Sequence, residues 1–108
     1  MKLKKSVKAK WVKALRSGKY AQGQGSLRVD REIVDKDGFA TLKTKKHYCC
    51  LGVACAIGIT QPRREDGLRS SGWVSNNFLP SEIQKTLANM NDDGDGFKKI
   101  ASWISKKL

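Results

Sequence analysis

The stretch YCCLGVACAI, residues 48–57, is the most apolar part of the chain and decides how the rest is organised around it. Its apolar positions recur at helical spacing with little polar interruption, at Cys49, Cys50, Val53, Ala54 and Ile57. The pattern predicts a buried central helix that ends at Gly58. Gly52 lies inside this helix, where glycine costs about 1 kcal/mol relative to alanine. We therefore expect Gly52 to lie at a close contact with a neighbouring element.

The N-terminal segment, residues 3–17, has the pattern of an amphipathic helix. Its apolar stripe consists of Leu3, Val7, Trp11, Ala14 and Leu15. Basic residues occupy the other side, and residues 1–20 contain eight Lys or Arg and no Asp or Glu. Gly18 follows a last turn that contains Arg16, as is typical of a helix C-terminus.

The C-terminal part of the chain predicts two further helices. Ser81 and Gln84 have the spacing of a capping box, so a helix is expected from there to about Met90. The turn NDDGDG, residues 91–96, separates it from the last helix. That helix has a single apolar face, with Trp103 at its border, formed by Phe97, Ile100, Ala101, Ile104 and Leu108.

The segment between the first and central helices predicts a small β-structure. Residues 22–25 (QGQG) have the composition of a flexible loop or hinge. A short strand around residues 27–29 follows, and the turn DKDG, residues 35–38, predicts an antiparallel β-hairpin because its glycine permits a positive φ. Residues 60–77 have the composition of a loop, from which Trp73 is expected to return to the core.

Length and charge bound the class of protein. The 108 residues fit one domain, residues 1–108, and no apolar run approaches the roughly 20 residues that span a bilayer. The formal net charge is +12, which attracts polyanions: nucleic acid first, then an anionic membrane surface or an acidic protein. Three Cys within seven residues cannot staple a distant loop, so we expect reduced thiols in a cytosol.

The sequence offers no catalytic arrangement and no metal or cofactor motif. Asn91, Asp93 and Asp95 have the spacing of a calcium loop, but its twelfth position is Ser102 instead of a bidentate Glu. We interpret the turn instead as a cap on the last helix. His47 is the only His, too few for a tetrahedral zinc site and too near the Cys pair to serve easily as its base. We therefore expect a protein that is not an enzyme and has no cofactor.

Two basic clusters are the candidate binding residues. Lys5, Lys13 and Arg16 are expected to point outward together from the first helix. This helix could follow a phosphate backbone, lie on an anionic membrane or simply be solvated, although core packing explains its apolar stripe better than membrane insertion does. The second cluster lies in the long loop, where arginine can pair bidentately with phosphate or carboxylate, and consists of Arg63, Arg64 and Arg69.

Several short blocks resemble, in order, the pattern of a family of small, largely uncharacterised proteins from tailed bacteriophages and prophages. These blocks are WVKALRSGKY (residues 11–20), QG (22–23), YCCLGV (48–53) with Cys55, LP (79–80), MND (90–92), Gly94, Phe97, IA (100–101) and Ile104. These separate blocks are spread over residues 11–104; the hairpin at residues 30–45 and the basic N-terminal extension depart from the family pattern. It implies phage origin and action inside an infected bacterium, and it supplies no catalytic residue.

Together these features predict an α+β domain with about four helices and a small antiparallel hairpin. The leading hypothesis is a phage accessory protein in the host cytoplasm that binds nucleic acid or a nucleoprotein complex. The alternative is an inhibitor that binds an acidic patch of a host or anti-phage defence enzyme. The spread of basic residues favours the first hypothesis, and the absence of a known nucleic-acid motif favours the second.

Overall fold

The computed structural model describes residues 3–63 and 72–108, with the backbone alone at residue 31 and residues 40–43. These residues form an α+β fold of four helices and a three-stranded mixed sheet. The elements in chain order are α1 (Lys5–Arg16), β1 (Ala21–Gln22), β2 (Arg28–Val34), β3 (Ala40–Tyr48), α2 (Cys50–Ala56), α3 (Ser81–Asp92) and α4 (Phe97–Lys107).

Helix α2 lies at the centre of the core, as its apolar sequence predicts. All residues from Cys50 to Ala54 are buried, and α2 contacts α1, α3 and β3. The close contact expected at Gly52 is present: a Cβ at this position would lie 1.8 Å from the backbone oxygen of Leu27. The Cys49 amide also donates to that oxygen, at 3.2 Å. The chain just before β2 therefore packs directly on the backbone of α2.

The predicted hairpin is present, and the sheet has a further strand that the sequence did not predict. β2 and β3 pair in antiparallel fashion from Arg28 opposite Tyr48 to Val34 opposite Ala40, with a bulge near the turn. Gly38 has a φ of 87°, as the turn requires. On the other edge of β3, β1 pairs in parallel over two residues. A two-residue strand has too few side chains to show an alternating pattern, so sequence periodicity could not reveal it.

Helices α1 and α4 pack side by side and run in opposite directions. The Leu3 amide, at the start of α1, donates to the Leu108 carbonyl at the end of α4 (3.0 Å). At the other end of α1, the Arg16 guanidinium donates to the Ser102 hydroxyl in the middle of α4 (3.3 Å). The apolar stripes of both helices turn inward; Trp11, Ile100 and Ile104 have no exposed surface. Their polar faces are left side by side on the outside.

The predicted capping box at the start of α3 is wrong. Pro80 is the N-cap residue, and no side chain caps this helix. Gln84 is fully buried instead: its side-chain oxygen accepts from the Val74 amide (2.9 Å) and its side-chain nitrogen donates to the Leu79 carbonyl (2.8 Å). The side chain thus satisfies two buried backbone groups of the preceding segment, which is worth more there than at an exposed helix end.

The long loop is partly ordered by a short antiparallel bridge between Pro62 and Val74. Within this bridge the Arg63 amide donates to the Trp73 carbonyl (2.9 Å). The expectation that Trp73 returns to the core is wrong, since 37% of its surface is exposed. Because side chains alternate along an extended segment, Val74 points inward in its place and is fully buried.

Residues 22–25 are not a hinge but part of a polar network centred on Asn91, which is fully buried. Its side-chain oxygen accepts from the Cys50 amide (3.2 Å) and from the Gln22 side chain (3.0 Å). Its side-chain nitrogen donates to the Gly23 carbonyl (2.7 Å). The Gly25 amide donates to Asp92. The blocks around residues 22, 50 and 91 are therefore held together by one buried side chain.

Candidate nucleic-acid interface

The outer side of the α1–α4 pair, which we call the basic face, is strongly cationic. Helix α1 contains five basic residues and α4 contains four, and neither helix contains Asp or Glu. These residues are Lys5, Lys8, Lys10, Lys13 and Arg16 in α1, and Lys98, Lys99, Lys106 and Lys107 in α4. Because the two helices are neighbours, their charges add at one surface.

The three candidate residues of α1 are exposed, as the helical spacing predicts. Lys5 and Arg16 are eleven residues apart, which places them on one side of the helix, and Lys13 lies beside them. The hydrogen bond from Arg16 to Ser102 brings this side of α1 next to the side of α4 that carries Lys98 and Lys106, four residues on either side of Ser102.

The contribution of α4 to the basic face was missed at the sequence level. Its lysines show the outward pattern of any amphipathic helix. Their importance depends on the packing of α4 against α1, and the two helices are separated by about 80 residues of sequence. The one available signal was that both helices lack acidic residues, a bias that solubility alone does not require.

A groove of about 570 Å³ runs along the outer side of α1 between its basic residues. Its lining residues are Ala9, Val12, Lys13, Arg16 and Ser17. Ala9 and Ser17 have short side chains, so a depression forms beside the long side chains of Lys13 and Arg16. The groove gives an approaching polyanion room to reach the Lys13 and Arg16 side chains at close range.

Arg63, the one described member of the second cluster, is tied into the fold. Its guanidinium donates to the Asn76 side chain (2.7 Å) and to the Val74 carbonyl (3.4 Å), and lies 5.6 Å from the centre of the Trp73 ring. Arg64 and Arg69 lie outside the described residues. The arrangement gives Arg63 a part in holding the Pro62–Val74 bridge, which the sequence did not predict.

The turn at residues 91–96 does not have the arrangement of a calcium loop. The Asn91 side chain points into the core, and an Asp95 oxygen accepts from the Lys99 ammonium (3.1 Å). Nor do these side chains cap α4, whose N-cap is Gly96 with no side-chain hydrogen bond; that interpretation is wrong. Among residues 3–63 and 72–108, no three His, Cys, Asp or Glu side chains lie close enough to hold a metal ion.

All three cysteines are free thiols; Cys49 and Cys50 are buried and Cys55 is half-buried. Burial raises the pKa of Cys49 and raises that of Cys50 well above its ordinary value, because the thiolate would lose its hydration. The same cause raises the pKa of half-buried Cys55 to about 12. The Cys49 sulfur accepts from the Gly52 amide at the start of α2 (3.4 Å), in the position of a helix cap. The hydrogen bond favours the thiolate, but desolvation outweighs it.

Comparison with known proteins identifies a family-level similarity at the N-terminus. Residues 3–35 match the model of a family described as a domain of unknown function, DUF8296. The match covers α1, β1 and β2, which is less than a third of the chain. No curated protein and no solved structure matches this chain. Over the described part of the chain, no helix is both long and apolar enough to cross a membrane.

Proposed function

We propose that this protein is a basic accessory protein of a bacteriophage that binds nucleic acid, alone or within a nucleoprotein complex, through the basic face. The observation that carries the proposal is the pairing of α1 and α4, which together present nine basic residues and no acidic one. Such a surface attracts a polyanion over a wide area, since neither helix contributes an acidic side chain, although Lys99 pairs with the Asp95 carboxylate just before α4.

The size of the basic face suits a phosphate backbone. Helix α1 has 12 residues and is therefore about 18 Å long, and packed helices lie about 8–10 Å apart. Duplex DNA carries one charge per roughly 1.7 Å of its axis, so several phosphates lie opposite a face of this length. Contacts of this kind are largely independent of sequence, because lysine ammonium groups meet phosphates and do not read base edges.

The setting in an infected cell is part of the proposal and rests on the resemblance of the sequence blocks to phage and prophage proteins. Several of those blocks meet in the fold: Trp11 donates to the Cys50 carbonyl (3.0 Å), and Asn91 connects Cys50 to Gly23. The residues that carry the resemblance therefore have structural roles in the core. The basic face is a property of the exposed positions, and we place action in the host cytoplasm, where nucleic acid is available.

The experiment compares the salt dependence of duplex binding between two triple variants. Lys5→Ala, Lys13→Ala and Arg16→Ala together remove three charges from the basic face. The log–log salt slope should become shallower by up to about 2.7, because each phosphate that a side chain no longer neutralises accounts for about 0.9 of the slope. The matched control removes three exposed lysines from the hairpin and α3: Lys36, Lys45 and Lys85. It should leave most of the slope in place.

Two results would refute this assignment. Equal flattening by the control variant would show that net charge alone is responsible and that the basic face is not the site. Failure of the wild-type protein to retain either DNA or RNA at about 150 mM salt, where non-specific dissociation constants are typically 10⁻⁴–10⁻⁶ M, would remove nucleic acid as the main partner.

A second candidate function, binding to a host or defence protein, is favoured by the free end of the hairpin. Three large apolar side chains are exposed there: Ile33 (40%), Val34 (57%) and Phe39 (70%). Exposed apolar residues grouped in this way are more typical of a protein interface than of a phosphate contact. The Phe39→Ala variant separates the candidates: it should weaken capture of a nuclease-resistant partner from infected cells, while the affinity for duplex DNA stays unchanged.

A further inference from the structure

A second cavity lies beside the basic face, on the other side of the Lys13–Ser17 edge of α1. Its volume is about 290 Å³. The lining residues are Lys10, Lys13, Ala14, Ser17, Lys19, Tyr20 and Ile57. Lys13 and Ser17 also line the groove on the outer side of α1, so the two depressions lie on either side of these two residues. We call this second cavity the Tyr20 pocket.

The Tyr20 pocket combines an apolar floor with a cationic rim. Ala14, Tyr20 and Ile57 are half-buried and supply the floor. Lys10, Lys13 and Lys19 are exposed and supply the rim, and none of the seven lining residues is acidic. A ligand that fits such a site has a flat apolar part and negative charge on more than one side. A nucleotide within a polynucleotide strand has this character, because phosphates flank each base.

The aromatic ring in the pocket is held in place by its neighbours. The Tyr20 ring stands nearly perpendicular to the Tyr48 ring, with their centres 5.5 Å apart. The Lys19 ammonium lies 5.9 Å from the centre of the Tyr20 ring, within the range of a cation–π interaction. The contact also keeps this cation at the mouth of the pocket. Ordering the ring before binding lowers the entropy lost when a base packs against it.

We propose that the Tyr20 pocket receives a base of single-stranded nucleic acid while the neighbouring phosphates follow Lys13 and Arg16. The inference rests on the proposed function and adds that the preferred partner is single-stranded. A base in a duplex is paired and already stacked on its neighbours, so it cannot stack on the Tyr20 ring, whereas an unpaired base can be turned outward and stacked on an aromatic side chain. The pocket thereby distinguishes single strands from duplexes, which the basic face alone does not.

The test measures the affinities of variants for an oligothymidylate of about 12 nucleotides and for a random duplex of about 20 base pairs. Tyr20→Leu removes the ring but keeps an apolar side chain. It should weaken single-strand binding about 5- to 150-fold, the range for loss of one stacked base, and leave duplex binding unchanged. Tyr20→Phe is the control; it keeps the ring and should bind both probes as the wild type does.

A second pair of variants keeps the test independent of any effect of Tyr20 on folding. Lys10→Ala with Lys19→Ala removes two cations from the rim of the pocket. The log–log salt slope for the single strand should fall by about 1.4, at about 0.7 per phosphate, while the duplex slope falls by at most about 0.9, because Lys10 belongs to the basic face and Lys19 does not. Lys45→Ala with Lys85→Ala removes equal charge at distant exposed positions and should change neither slope much.

The outcomes separate this inference from the proposed function. If the wild type binds duplex and single strand but both sets of pocket variants weaken the two probes equally, or weaken neither, the pocket assignment is overturned and the basic face remains. If the wild type retains neither probe, the proposed function fails and the pocket assignment fails with it. Selective loss of single-strand binding in both sets supports the pocket.

Discussion

Replacing Gly52 by alanine in the middle of α2 has two opposing effects on the free energy of unfolding. Helix propensity alone predicts a gain of about 1 kcal/mol, because glycine is the less favourable residue in a helix interior. The structure predicts the opposite sign. The new Cβ would lie 1.8 Å from the oxygen of Leu27 and 2.7 Å from its carbonyl carbon. Both neighbouring atoms belong to the backbone, so no side-chain rotation can relieve the overlap.

The size of the effect follows from the displacement that the methyl group imposes. Real Cβ contacts are not shorter than 3.0 Å, so α2 and the chain at Leu27 must separate by at least 1.2 Å. Overpacking of this kind costs about 1–3 kcal/mol or more. The separation also weakens the hydrogen bond from the Cys49 amide to the Leu27 carbonyl, worth about 0.5–1.5 kcal/mol. After subtracting the propensity gain of about 1 kcal/mol, we expect a net loss of about 0.5–3.5 kcal/mol.

Urea unfolding followed by tryptophan fluorescence measures this loss, since Trp11 is fully buried and reports on the core. Gly96→Ala is the matched control, because no atom lies within 4 Å of a Cβ built there and its φ of −69° suits any residue. Gly96 is an N-cap, so the control should cost at most about 1 kcal/mol. If Gly52→Ala is as stable as the wild type or more so, the close approach of Leu27 to α2 is wrong.

Three further changes test other parts of the fold. Asn91→Ala should lower the free energy of unfolding by about 3 kcal/mol in urea, because the Cys50 amide and the Gly23 carbonyl are left buried without partners; a loss under about 1 kcal/mol would contradict the network. Arg63→Ala should cost about 0.5–1.5 kcal/mol and Arg63→Lys nearly as much, since lysine lacks the guanidinium fork; an unchanged midpoint would show that the Pro62–Val74 bridge does not depend on it. Labelling of the native protein with a thiol reagent should be slow and should quicken about tenfold per pH unit beyond pH 10, because burial raises the pKa of Cys55 to about 12 and the reactive thiolate forms only as pH rises towards that value; a plateau near pH 9 would contradict the buried state.

Local patterns in the sequence were enough to predict the main elements. The apolar spacing in residues 48–57 and in the last helix reflects burial on one side of a helix, and all five apolar positions predicted for the last helix are buried. The turn at residues 35–38 was visible because a positive φ restricts the choice of residue. The helix expected from Ser81 to about Met90 is likewise present as α3, although it continues to Asp92.

The features that sequence reasoning missed depend on pairs of residues far apart in the chain. Gln84 fits a capping box by spacing, yet the structure uses its amide to satisfy Val74 and Leu79. Residues 22–25 have the composition of a hinge, but in the fold they lie beside Asn91, whose side-chain nitrogen donates to the Gly23 carbonyl. The exposed positions of Lys5, Lys13 and Arg16 could be predicted from the pattern of one helix. The packing of α1 against α4 and the formation of the Tyr20 pocket could not, because both depend on contacts between distant segments.

The meeting of Leu3 with Leu108 has a consequence for protein engineering. The Leu3 amide nitrogen and the Leu108 carbonyl oxygen are 3.0 Å apart, so in an engineered circular form of residues 3–108 a short linker from residue 108 to residue 3 would join α4 to α1 without disturbing either helix. Ring closure would restrict the unfolded chain and thereby favour the folded one. New ends opened at the exposed turn around Gly94 would lie away from the place where the start of α1 meets the end of α4. Purification tags attached there would leave the first turn of α1 unobstructed in binding experiments.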